Sequence, residues 1–165
     1  HETAGSIAME REIDGETFVV YLRISHPQNL SLIEIDEKIK HAKDCPAEEV
    51  PSFRRLLKIN RLPFLLRRFL WWVGLNVYSY RLRYFGTFGL TGIGRGVRSL
   101  SVKSPMSVTF VFDMSMTDVS PLVRLFWDHR VFDGVIVIRI LERLQYFLNH
   151  DLVAEMDKIR EERAE

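Results

Sequence analysis

Apolar and polar positions alternate from Ser6 to Arg11, with Ile7 and Met9 as apolar members, and Thr17 to Ile24 (TFVVYLRI) is rich in β-branched and aromatic residues. The two patterns predict two strands, and Asp14-Gly15 between them is a hairpin turn signal. The period changes after Pro27-Gln28-Asn29. Leu32, Ile35 and Ile39 recur at helical spacing up to Lys43, behind a Ser31 that can cap the helix and a Glu34 placed to complete a capping box. Residues 46–75 then carry two apolar stripes beside arginine pairs, one built on Phe53, Leu56 and Leu57 and one on Leu65, Leu66, Phe69, Leu70, Trp72 and Val73. These predict two helices divided at Pro63, the second ending at Gly74 and Asn76.

Arg81 to Leu90 (RLRYFGTFGL) alternates in aromatic character and is expected as a strand, followed by a loop marked by Gly92, Gly94 and Gly96. Ser107 to Met116 and Leu122 to Trp127 read as two facing antiparallel strands joined by a turn at Asp118 to Pro121. From Gly134 the residues Val135, Val137, Ile138, Leu141, Leu144, Phe147 and Leu148 keep helical spacing to about Asn149, and the charged stretch 151–165 reads as a solvated helical tail. There is no internal repeat. The order of elements predicts an α+β fold in which a mixed sheet is flanked by helices, in one domain covering residues 1–165.

The composition agrees with such a core: of 165 residues, 47% are hydrophobic and 27% charged, a mixture that excludes collagen-like, low-complexity and wholly disordered chains. Net charge is only +1, but eleven of the 23 basic residues fall in residues 51–103, which hold no Asp or Glu. The middle third is therefore strongly cationic and suited to an anionic partner. The one cysteine, Cys45, leaves no internal disulfide and no Cys-rich zinc site, which fits a reducing compartment. His1-Glu2-Thr3-Ala4-Gly5 lacks the basic and apolar regions of a secretory signal, and arginines interrupt every apolar run well before the roughly 18 residues a membrane span needs. A cytoplasmic location is expected. The remaining histidines, His1, His26, His41 and His150, have no metal-binding spacing beside a carboxylate, so no metal is expected. Thr91 to Gly96 (TGIGRG) lacks the Lys-Ser/Thr of a phosphate loop, and the basic stretch is interleaved with Leu and Phe outside any recognised nucleic-acid-binding motif. Neither a nucleotide site nor nucleic-acid binding is expected.

The segment richest in chemistry is Trp127-Asp128-His129-Arg130-Val131-Phe132-Asp133-Gly134, at the junction of an expected strand and the last long helix. Imidazole, with an ordinary pKa of about 6.5, suits proton transfer near neutral pH. A carboxylate four residues on, followed by a glycine that lets the chain turn, can lock the loop that carries it. Strand-to-helix turns also contain Asp-Gly simply to cap the helix, so local chemistry leaves a structural turn as the alternative.

Asp128-His129-Arg130-x-x-Asp133-Gly134 resembles the D-H-R-x-x-D-G signature of the catalytic domain of the dihydrolipoyl acyltransferases of 2-oxo acid dehydrogenase complexes, whose H-x-x-x-D-G core is shared by chloramphenicol acetyltransferase. Upstream, Gly86-Thr87-Phe88-Gly89-Leu90-Thr91-Gly92-Ile93-Gly94 is similar to the family's G-T-F-T-I-S-N-L-G segment, with Gly89 in place of Thr and Thr91 where Ser or Thr is expected. The hairpin of Ser6 to Ile24 and the helix carrying Ser31, Leu32 and Ile35 are similar to that domain's central hairpin and following helix. The resemblance implies the coenzyme A-dependent acyltransferase fold. It also implies acyl transfer from a thioester donor, a small-molecule or carrier-bound acyl substrate with acyl-coenzyme A as the expected co-substrate, to an acceptor thiol, hydroxyl or amine. His129 would be the general base, Thr91 would donate its hydroxyl to the oxyanion, and Asp133 would fix the loop without titrating. It further implies a homotrimer or multiple of trimers, with His129 and Thr91 meeting across the subunit interface.

The family's domain is longer and opens with a strand and helix region not found before His1, so an N-terminal portion is expected to be missing or lacking. That region supplies an arginine to the motif's Asp; Arg130 is the candidate cation here by proximity. No lipoyl attachment site or Pro/Ala-rich linker is present in the sequence. A free-standing acyltransferase is therefore the expectation, with the cationic third meeting the phosphates of its donor and a non-catalytic trimer or cage scaffold as the alternative. Residues 53–73 have two readings: packing on the sheet or a subunit interface, or a peripheral membrane element with its aromatics at the bilayer and Arg67 and Arg68 among anionic headgroups.

Overall fold

A computed structural model of the chain describes residues 3–13, 15–93, 104–113 and 122–162. In order these form β1 (Ala4–Ile13), β2 (Glu16–Ser25), a 3₁₀ turn (Pro27–Asn29), α1 (Leu32–Asp44), α2 (Pro51–Asn60), α3 (Phe64–Asn76) and α4 (Tyr78–Phe85). There follow β3 (Phe88–Ile93), β4 (Val108–Asp113), β5 (Leu122–Trp127), α5 (Gly134–Asn149) and α6 (Asp151–Glu162). The strands make one five-stranded sheet in the order β2-β1-β3-β4-β5. β1 runs antiparallel to β2 and parallel to β3, and β3 runs parallel to β4. The protein is thus mixed α+β with a mixed sheet, the class its elements predicted. The chain divides into two compact units, His1–Phe126, which holds the sheet and α1 to α4, and Trp127–Glu165, which holds α5 and α6.

The alternation along the first hairpin sets the core. Register pairs Met9 with Val20 and Ile7 with Leu22, so the odd apolar positions of β1 share a face with the even ones of β2. Met9, Ile13, Val20, Leu22 and Ile24 on that face pack with Ala42 of α1 and with Val50 and Phe53, the last only 1% exposed. Burying a phenylalanine so fully contributes about 1.5–3 kcal/mol. α1 starts on the expected capping box: Ser31 Oγ accepts from the Glu34 amide at 3.3 Å, and the Ser31 amide donates to Glu34 Oε2 at 2.8 Å. The backbone and hydroxyl bonds from Ser31 hold the Glu34 carboxyl below its ordinary range. The other end of α1 is closed from the sheet. The Arg11 guanidinium donates to the carbonyls of Ala42, Lys43 (2.7 Å) and Cys45 (2.7 Å), placing a cation at the negative end of the helix.

β2 is an edge strand, and the next helices cover it. α2 packs on one sheet face through Phe53, while Phe85 at the end of α4 meets Tyr21 edge-on at 6.2 Å on the other, and α3 connects α2 to α4. A cavity of about 290 Å³ lies there, lined by Phe53, Ile59, Leu70, Trp71 and Gly74 among others.

The strand expected over Arg81–Leu90 is corrected: its first half is helical, and only Phe88 onward joins the sheet. Helical spacing wins because it brings aromatic partners together, Tyr80 stacking on Tyr84 at 6.3 Å and Arg81 lying 5.7 Å over the Tyr78 ring. Gly86 then ends α4 at φ 79°, ψ −169°. β3 continues through Gly92 to Ile93, where a loop was expected to begin. Asp14, the loop at Gly94 and Gly96, and the turn at Asp118–Pro121 lie outside the described residues. The charged tail is a separate helix, α6, with no buried residue.

Candidate functional site

The junction between β5 and α5 spans six residues and is held by its own side chains. β5 ends at Trp127; Asp128 then organises the turn, its carbonyl accepting from the amides of Val131 (2.9 Å) and Phe132 (3.1 Å). Its Oδ1 accepts from the Arg130 amide at 3.0 Å, an Asx-turn. The Arg130 side chain folds back on the same carboxylate as a fork, Nε to Oδ1 at 2.9 Å and an η-nitrogen to Oδ2 at 2.7 Å. Hydrogen bonding to Asp128, with the attraction of its charge, holds the Arg130 guanidinium above its ordinary value. Arg130 is therefore committed to Asp128, and its expected pairing with Asp133 is not the one the structure shows.

Asp133 instead closes the turn at its far end. It is the N-cap of α5, its Oδ1 accepting from Val135 N at 2.7 Å and Ile136 N at 3.2 Å. The positive end of the helix balances its charge without a cationic side chain. Between these two locks stands His129. It is exposed, and its ring lies 4.8 Å from that of Trp127 at 57°. The indole N–H of Trp127 is buried and has no acceptor among the described residues. Sequence reading gave Trp127 no role; a tryptophan at the last strand position before a histidine turn is the signal that was there to use.

The second motif is anchored differently. Gly86 turns the chain so that Thr87 N donates to Ala4 O at 2.8 Å and Thr87 Oγ1 donates to the same oxygen at 2.9 Å. Buried Ser6 donates from Oγ to Phe85 O at 2.5 Å. These bonds fix the start of β3 against β1. Gly89, where the resemblance expects Thr, lies against Met106, whose Sδ would be 2.7 Å from a β-carbon there. Thr91 sits half-buried on β3, opposite Val111 of β4. Thr91 thus belongs to the first compact unit, and His129 and Asp133 to the second.

Chemically, the junction offers an accessible imidazole, two carboxylates already occupied by structural bonds, and a buried indole donor without an acceptor among the described residues. Among the described residues no cluster of three or more His, Cys, Asp or Glu side chains is placed to hold a metal ion. No helix of the described residues is long and apolar enough to cross a membrane. No family model matches this chain, and neither do curated proteins or solved structures.

Proposed function

We propose that this chain is an acyltransferase that moves an acyl group from a thioester donor, acyl-coenzyme A, to a thiol, hydroxyl or amine acceptor, with His129 as general base. The observation that supports this reading is the exposed His129 imidazole standing in a turn braced at one end by the Asp128–Arg130 fork and at the other by the Asp133 cap. The bracing fixes the backbone that carries the imidazole, and among the described residues no hydrogen bond occupies its ring nitrogens, which leaves a lone pair open to a substrate proton. The resemblance of Asp128 to Gly134 and of Gly86 to Gly94 to the two acyltransferase motifs supplies the reaction class.

In this mechanism His129 accepts the acceptor's proton as its heteroatom attacks the thioester carbonyl, forming a tetrahedral oxyanion. Thr91 of a neighbouring copy in a trimer donates its hydroxyl to that oxyanion. Collapse expels the donor's thiolate, which takes the proton from the imidazolium. Asp133 positions the turn and does not exchange protons. The protein works in this reading as a cytoplasmic homotrimer or multiple of trimers.

The test is release of free coenzyme A thiol from short- and long-chain acyl-coenzyme A in the presence of thiol, amine and hydroxyl acceptors. Acceptor-dependent release is expected, falling by about 10²–10⁴ in His129→Ala. Turnover that survives His129→Ala unchanged refutes the assignment. Absence of turnover with every acceptor class leaves the scaffold reading in its place.

A further inference from the structure

α3 presents apolar side chains in the direction where a surface helix ordinarily carries charge. Its inner side, Leu70, Trp71 and Gly74, lines the cavity beside β2. On the opposite side Leu65, Phe69 and Trp72, at i, i+4 and i+7, form a continuous stripe that is 78%, 58% and 59% exposed. Three large side chains left in water at helical spacing are a contiguous apolar patch, the kind that marks a contact surface. Tyr78 and Tyr80 of α4, the helix that follows at once, are also exposed.

The charge around the stripe selects the partner. Every charged residue of α2, α3 and α4 is basic, and none of these cations forms an ion pair among the described residues. A second copy of the chain seated across α3 would set the exposed Arg68 against its own copy. A surface that is anionic throughout and apolar just beneath meets both demands at once, and a lipid bilayer with anionic headgroups is such a surface. Tryptophan and tyrosine are the side chains that settle at the boundary between headgroups and acyl chains. At 13 residues α3 is about 20 Å long, too short to span a bilayer and long enough to lie in its surface.

We propose that α3 and α4 seat this protein on anionic membrane surfaces, with Leu65, Phe69 and Trp72 entering the acyl boundary and the flanking arginines at headgroup level. The docking is peripheral, reversible and weakened by salt. It is independent of the acyl-transfer reading, since none of these residues belongs to the β5–α5 turn.

The experiment is flotation of the purified full chain with vesicles of phosphatidylcholine alone and of phosphatidylcholine mixed with phosphatidylglycerol, at low and high salt. Binding to the mixed vesicles at low salt is expected, with little to the neutral ones. Arg68→Gln should weaken it roughly fivefold. The triple variant Leu65→Ser/Phe69→Ser/Trp72→Ser should weaken it by about tenfold or more, while its circular dichroism and melting stay those of the parent, because all three sites are exposed. Acyl chains brominated near the headgroup should quench tryptophan emission in the parent and much less in Trp72→Leu, which keeps the stripe apolar. The proposal is overturned by no flotation at low salt, by equal binding to neutral and mixed vesicles, or by a triple variant that binds like the parent. It is equally overturned if light scattering finds an oligomer that the triple variant dissolves, which would make a second copy the occupant.

Discussion

Replacing Gly86 by alanine tests how the second motif is built into the sheet. Gly86 has φ 79° and ψ −169°, a backbone region that glycine alone occupies without strain. A β-carbon there would lie 2.6 Å from the carbonyl oxygen of Ala4, well inside contact distance. That oxygen cannot yield cheaply, because it accepts from both Thr87 N and Thr87 Oγ1 where β3 joins β1. Backbone strain costs about 1–3 kcal/mol. Displacing Ala4 O weakens two hydrogen bonds worth about 0.5–1.5 kcal/mol each. Gly86→Ala should therefore destabilise by about 4 kcal/mol, a large part of the roughly 5–15 kcal/mol that holds a domain of this size together. Gly15→Ala is the matched control, with φ 78° and nothing within 4 Å of its β-carbon. It carries backbone strain alone, about 1–2 kcal/mol. Urea unfolding followed by far-ultraviolet circular dichroism measures both, the midpoint reporting stability where the slope is unchanged. Equal losses in the two variants, within about 0.5 kcal/mol, would refute the steric argument at Ala4.

Arg11→Met keeps the aliphatic stem and removes the bonds to the end of α1, so it should lower stability by about 1.5–3 kcal/mol in the same urea assay. Arg11→Lys should recover only part of this, because an ammonium cannot fork to three carbonyls; a Met variant as stable as the parent would show that those bonds contribute nothing. Asp133→Asn preserves the cap of α5, whereas Asp133→Ala should cost about 1 kcal/mol and speed hydrogen exchange at the amides of Val135 and Ile136. If Asn proves as damaging as Ala, the carboxylate has a task beyond capping.

The hairpin, α1 and the two helices on either side of Pro63 were legible in the sequence because each is specified locally. Ile7 and Met9 alternate with polar neighbours, Thr17 to Ile24 is rich in β-branched and aromatic residues, Ser31 and Glu34 sit at capping-box spacing, and a proline divides the apolar stripes. Arg81 to Leu90 was misread because its short alternation satisfies a strand and its Tyr80–Tyr84 spacing satisfies a helix, and only the packing of Phe85 on Tyr21 decides between them. The role of Arg11 was invisible for a related reason. An arginine between Met9 and Ile13 on the core face of a strand looks like an interruption until the end of α1 arrives above it.

The candidate site divides along the same line. His129 and Asp133 lie on one turn, so their spacing alone places them at the start of a helix. Arg130 stands close in sequence to both Asp128 and Asp133, and nearness gave it to the wrong one. The choice belongs to the backbone: an aspartate two residues before an arginine can accept from its amide as well as its side chain, while an aspartate at an N-cap already receives two amides from the helix. Asp133 therefore has no need of Arg130, and Asp128 has two uses for it. The Trp127 indole follows from neither motif nor spacing. Its buried N–H has no acceptor among the described residues, although its ring lies beside His129.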